Sequence, residues 1–96
     1  VKRRPDYRLA HFHIGRILAN RKQYAAAIEH FKKTLTPEDE YTPTYLYALA
    51  ATYARAGDKQ DALTYGRKAR DAAASRGQTQ LRDRIEKDLR ALDQKP

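Results

Sequence analysis

Apolar residues recur three and four positions apart in five stretches of this chain, and polar or turn-forming residues separate them. In the first stretch His11, Ile14, Gly15 and Leu18 share one face, which predicts a helix over about residues 7 to 20 with Asp6 as its N-cap. The polar break Asn20-Arg21-Lys22-Gln23 leads into a second helix carrying Tyr24, Ala27, Ile28, Phe31 and Leu35, which Pro37 is expected to end. Thr42-Pro43 then reads as an N-cap followed by proline at the first helical position, where the missing N–H is not needed. The third helix has a stripe of Leu46, Leu49, Ala50 and Tyr53, and Gly57 can take the left-handed conformation that closes it. Asp58 caps a fourth helix with Ala62, Leu63, Tyr65, Ala69 and Ala73, stopped by Gly77. A fifth, over about residues 79 to 92, carries Leu81, Ile85, Leu89 and Leu92, with charge on almost every other position. The reading is all-α, five helices.

Composition narrows the picture. A chain of 96 residues is one domain at most. Without cysteine it has neither a disulfide framework nor a thiolate metal site, which favours a reducing compartment such as the cytoplasm. No run approaches the length of a membrane span, so no membrane insertion is expected. The first residues lack an initiator Met and an apolar leader, as expected of a C-terminal piece of a longer chain. Twenty basic against twelve acidic residues give +8. Residues 1 to 35 hold nine basic and two acidic side chains and residues 36 to 61 hold two and five, so the positive charge lies toward the ends. That balance favours acidic partners or nucleic acid.

Sliding the chain on itself by 35 residues places Ala27 over Ala62, Lys33 over Lys68, Ile14 over Leu49, Leu18 over Tyr53 and Ile28 over Leu63. What repeats is the placement of large and small residues, as stacked helical hairpins require. His11-x2-Ile14-Gly15-x2-Leu18, then Ala27-x3-Phe31, then Pro37, resembles one unit of the tetratricopeptide repeat family. Leu46-x2-Leu49-Ala50-x2-Tyr53, the Gly57-Asp58 turn and Ala62-x3-Gly66 resemble a second. The resemblance covers about residues 7 to 76. His11 and Leu46 stand where the family has Trp, Gly66 where it has an aromatic, and the second unit lacks the terminal Pro. The extra residue in the loop around Glu38-Asp39-Glu40-Tyr41 accounts for an offset of 35 in place of 34.

The resemblance implies a right-handed superhelical stack of antiparallel hairpins, an α-solenoid. It divides the chain into a first repeat at 7–41, a second at 42–76 and a capping helix at 78–93. Gly66 inside a helix costs about 1 kcal/mol relative to Ala, and is expected to make room for the fifth helix. No polar helix precedes the first repeat, so either further repeats or self-association of the N-terminal hairpin is expected there. Carrying over the family's concave groove puts Phe12, His13, Arg16 and Asn20 beside Tyr47, Ala51 and Arg55 as a partner-binding surface. Aromatics flanked by arginines suit a protein or peptide of acidic character. Packing of Phe12 on Tyr47 across the helices is the plainer role for those rings. The Lys-Asn-Arg clamp of chaperone-binding members is not matched, since the corresponding places hold mainly Phe12, Arg16 and Ala48.

Catalytic chemistry is hard to find. His11 and His13 point about 200° apart on a helix and cannot share a metal; His30 lies on another helix, and no His-Glu-x-x-His spacing is present. Phosphate-binding glycine loops, nucleophile elbows and dinucleotide fingerprints are absent from the sequence. Glu38-Asp39-Glu40 reads as a solvated loop that puts negative charge before the third helix, not as a calcium loop with alternating ligands. No cofactor, metal or catalytic residue is assigned. The leading expectation is a non-catalytic scaffolding or assembly module. A basic helical-repeat module for RNA and an accessory domain that positions a catalytic domain are the alternatives.

Overall fold

The computed structural model describes residues 5–35 and 38–94. Five helices follow in order: α1 (Pro5–Asn20), α2 (Tyr24–Lys32), α3 (Thr42–Arg55), α4 (Lys59–Ser75) and α5 (Thr79–Gln94). Among the described residues there is no strand. Each helix packs on the next, and α5 also reaches α3, which arranges the chain as a slab of 48 × 33 × 16 Å.

Three turns of one design set this order. In each, a residue at positive φ (Lys22 at 63°, Gly57 at 89°, Gly77 at 72°) follows the helix end. Its N–H goes to the carbonyl three residues back, and the next N–H goes five residues back: Gln23 to Leu18, Asp58 to Tyr53 and Gln78 to Ala73, each at 2.9 Å. That double closure satisfies the last orphan carbonyls and reverses the chain within three residues. Lys22 stands where the second hairpin has Gly57, and Gln23 where it has Asp58. Asp58 caps α4 by accepting the Asp61 N–H, whereas Gln23 makes no side-chain cap on α2.

The helix ends differ from the sequence reading in three places. The first helix begins at Pro5, so Asp6 lies within it and is not its N-cap. α2 stops at Lys32, before Leu35, because the Lys33, Thr34 and Leu35 N–H groups turn to carbonyls only three residues back; Pro37 lies outside the described residues. Tyr41, not Thr42, precedes α3. Thr42 is buried, its Oγ1 accepts the Asp39 N–H at 2.8 Å, and the Asp39 carboxylate accepts the Tyr41 N–H at 2.9 Å, so Asp39 supplies the turn expected of Thr42.

The interior falls into two clusters. Ala19, Ala27, Phe31, Leu49, Tyr53 and Ala62 form one across α1 to α4; Leu46, Ala69, Ala73 and Ile85 form the other across α3 to α5. Leu35 and Tyr65 touch both. Phe31, Leu49 and Ile85 are the large anchors, each contributing about 1.5–3 kcal/mol by leaving water. The buried alanines let helices approach without a gap. Two buried hydroxyls are satisfied locally, Thr34 donating to the Phe31 carbonyl and Thr52 to the Ala48 carbonyl.

Small and large residues exchange places between the hairpins. In the first, Gly15 faces Phe31, whose ring would lie 2.8–2.9 Å from a β-carbon at Gly15. In the second, Ala50 faces Gly66, which occupies the position of Phe31, and Leu89 of α5 fills the space so left. One expected packing residue turns outward: Ile14 is 40% exposed, with Leu9 and Ile17 at 50% and 53%, because α1 has its main contact with α2 alone.

Candidate functional site

Seven residues were expected along a groove, and the structure separates them into three settings. His13, Arg16 and Asn20 of α1 and Ala51 of α3 are exposed and open to a partner. Phe12 is half-buried and committed to packing: its ring centroid lies 5.8 Å from Phe31 and 5.3 Å from Tyr45, with the Arg16 guanidinium 5.9 Å above it. The cross-helix ring contact of Phe12 therefore falls on Tyr45. Arg55 is exposed yet anchored, donating to the Ala19 carbonyl at 3.2 Å and covering the Tyr24 ring at 5.6 Å. It ties α3 back to α1 and α2.

Tyr47 has the third setting. Its hydroxyl donates to the Asp88 carboxylate of α5, and burial together with that acceptor pushes its pKa up to about 12. Beside it opens a cleft of about 270 Å³ between α3, α4 and α5. Ala50, Ala51 and Ala54 of α3 form one wall and Ala62 and Gly66 of α4 the floor. Ile85, Leu89, Ala91 and Leu92 of α5 form the opposite wall, and the polar rim consists of Tyr47, Asp88 and Arg55. A concave apolar space with a few fixed polar groups has the make-up of a binding site for an apolar side chain.

The α5 half of this cleft was not anticipated. The fifth helix reads as a closing helix because most of its positions are charged, yet Leu89 and Leu92 of its apolar stripe also line the cleft. The signal was Gly66: a missing side chain where the first hairpin has Phe31 leaves room that a neighbouring helix must partly fill.

Elsewhere on the surface, Arg8 pairs with Asp39 and lies 5.5 Å over the Tyr45 ring, joining α1 to the loop before α3. That guanidinium holds the Asp39 carboxyl below its usual range. Tyr53 and Tyr65 stack at 5.4 Å with 12° between planes, and the Lys68 ammonium sits 5.1 Å over Tyr65. Among the described residues no group of three or more metal-ligating side chains gathers, and no helix is long and apolar enough to cross a membrane.

The chain thus forms two stacked hairpins with matching turns, reciprocal small-to-large packing and a 35-residue register. The family model of the tetratricopeptide repeat matches residues 5–75. The chain belongs to the tetratricopeptide repeat family. No curated protein and no solved structure matches it. Tetratricopeptide repeats generally mediate protein–protein interactions and are typically non-catalytic.

Proposed function

We propose that this tetratricopeptide repeat domain is a non-catalytic module that holds a peptide or partner segment in its groove and serves scaffolding or assembly. The observation that carries the proposal is the apolar cleft between α3 and α5, rimmed by Tyr47, Arg55 and Asp88. An apolar anchor of the partner enters this cleft. Acidic residues of the same segment run toward the exposed His13 and Arg16 of α1, where Arg pairs with carboxylates through two parallel hydrogen bonds. In this reading the two hairpins are the repeats at 7–41 and 42–76, and the helix at 78–93 both closes the stack and supplies a wall of the site. The exposed row of Leu9, Ile14 and Ile17 supports a further contact of the N-terminal hairpin with another apolar surface.

The test selects binding peptides from a displayed library and measures their affinity by fluorescence anisotropy for the wild type, Ala51→Arg and Arg16→Glu. Both positions are exposed, so the variants fold. Ala51→Arg blocks the cleft mouth and Arg16→Glu reverses charge, each weakening binding by about tenfold or more, equivalent to about 1.4 kcal/mol. Thr64→Lys on the exposed part of α4 leaves affinity unchanged. Equal affinity across all four proteins would sink the groove assignment. Tight, sequence-dependent binding of single-stranded RNA that survives raised salt would replace it with the nucleic-acid reading.

A further inference from the structure

We propose that His11 and His30 together form a two-histidine site for a divalent transition-metal ion, Cu(II) before Ni(II), which clamps α1 to α2. The two residues lie nineteen positions apart on different helices, yet their Nδ1 atoms face each other at 2.9 Å. The ring centroids are 5.1 Å apart and the planes tilted by 34°. Nitrogen facing nitrogen at this distance requires one Nδ1 to carry a proton and the other to be bare. The bare Nδ1 accepts that proton as a hydrogen bond, and both Nδ1 lone pairs face the gap once the protonated ring shifts its proton to Nε2 by exchange with water.

The spacing fits a metal without movement of the helices. Two imidazole nitrogens bound about 2.05 Å from one ion at a right angle stand about 2.9 Å apart, whereas tetrahedral ligation spreads them to about 3.3 Å. Cis positions of a tetragonal ion are thus matched by the distance already present, with each ring tilting to aim at the ion. Imidazole nitrogen together with tetragonal geometry selects Cu(II) and Ni(II), and Cu(II) binds more strongly. Water fills the remaining positions, since no third metal-ligating side chain gathers with the pair among the described residues.

Lys33 lies near enough to His11 to act on it, and its positive charge repels a divalent cation. His13 is exposed on the same helix, two positions from His11, and takes no part.

The experiment is calorimetric titration of Cu(II) into the untagged protein in a non-coordinating buffer near neutral pH, with electron paramagnetic resonance of the bound ion. The expected result is one ion per chain, with hyperfine coupling to two imidazole nitrogens. His11→Ala and His30→Ala each weaken binding by about tenfold or more, since one ligand remains. Lys33→Gln tightens it and His13→Ala leaves it unchanged. At a hundredfold excess of free ion over Kd, the folded-to-unfolded ratio of the wild type rises by about a hundredfold. Circular dichroism verifies that each variant keeps its helix content, and His30→Asn replaces any variant that does not fold. Absence of binding, loss of binding in His13→Ala, or undiminished affinity in the His30 variants would each overturn the site.

Discussion

Leu89 of α5 stands over Gly66 of α4, with its Cδ2 only 2.6 Å from where a β-carbon on Gly66 would be. The close atom is the end of a flexible, half-buried side chain, so Gly66→Ala is met by rotation of Leu89. The gain in helix propensity, about 1 kcal/mol, offsets much of that rearrangement. Gly15→Ala is a different case, because three atoms of a ring only 2% exposed lie within 2.8–2.9 Å and cannot yield. Urea unfolding is expected to place Gly15→Ala about 1–3 kcal/mol below the wild type and Gly66→Ala within about 0.5 kcal/mol of it. Equal losses would mean that Leu89 is held as firmly as Phe31.

The turn at Lys22 is the least optimised of the three. A non-glycine residue at φ 63° carries a penalty of about 1–2 kcal/mol that Gly57 and Gly77 avoid. Replacing Lys22 by Gly removes that penalty but gives the unfolded chain more freedom, for a net gain of about 0.5 kcal/mol. Gln23→Asp adds the missing side-chain cap on α2, about 1 kcal/mol. The double variant copies the Gly57-Asp58 pair, and its melting temperature is expected to rise by roughly 5 °C or more. No rise would show that the α1–α2 turn is not limiting for stability.

How much of this could be read from sequence depends on whether the signal is local. Helix faces are written in the three-and-four spacing, and Gly57-Asp58 announces its turn through residue types that suit positive φ and capping. Lys22 announces nothing, since lysine favours no such conformation; only the register with Gly57 exposes it. The commitment of Phe12 to Tyr45, the approach of His11 to His30 and the Asp88 side of the cleft depend on how helices cross. Crossing geometry is set by packing between segments far apart in the chain, which periodicity within one helix does not encode.

The hydrogen bond from Tyr47 to Asp88 gives the site a spectroscopic handle. With its pKa pushed up to about 12, Tyr47 is expected to ionise late in an alkaline titration followed by ultraviolet absorbance. A raised pKa means that the folded state holds the proton more tightly. The associated stability is complete below the usual value of 10.0 and is lost as pH rises through about 12. Tyr47→Phe removes the late transition and costs about 0.5–1.5 kcal/mol. A late transition that persists in Tyr47→Phe would assign it to another tyrosine.

Acid acts through a different pair. The His11 pKa lies below its usual 6.5, first because burial disfavours the charged ring and then because His30 and Lys33 repel it. The unfolded chain therefore binds the proton more readily, so the stability contributed is full above about pH 6.5 and declines as pH falls through the folded value. Urea midpoints measured from neutral pH down to about pH 5 are expected to fall for the wild type and to fall less for His11→Asn. Parallel slopes would exclude His11 as the origin. Asp39, whose carboxyl is held down chiefly by the Arg8 side chain, adds a separate loss only below its usual 3.8.

The two interior clusters share Leu35 and Tyr65 while drawing their large anchors from different helices, Phe31 and Leu49 for one and Ile85 for the other. By their fully buried members α3 and α4 belong to both, α1 to the first and α5 to the second, while Leu92 of α5 packs against the edge of the first. Opening at either end consequently leaves the buried members of the other cluster in place. Exchange of amide hydrogens in α1 and α5 then follows such partial openings, while the amides of α3 wait for the whole chain to unfold.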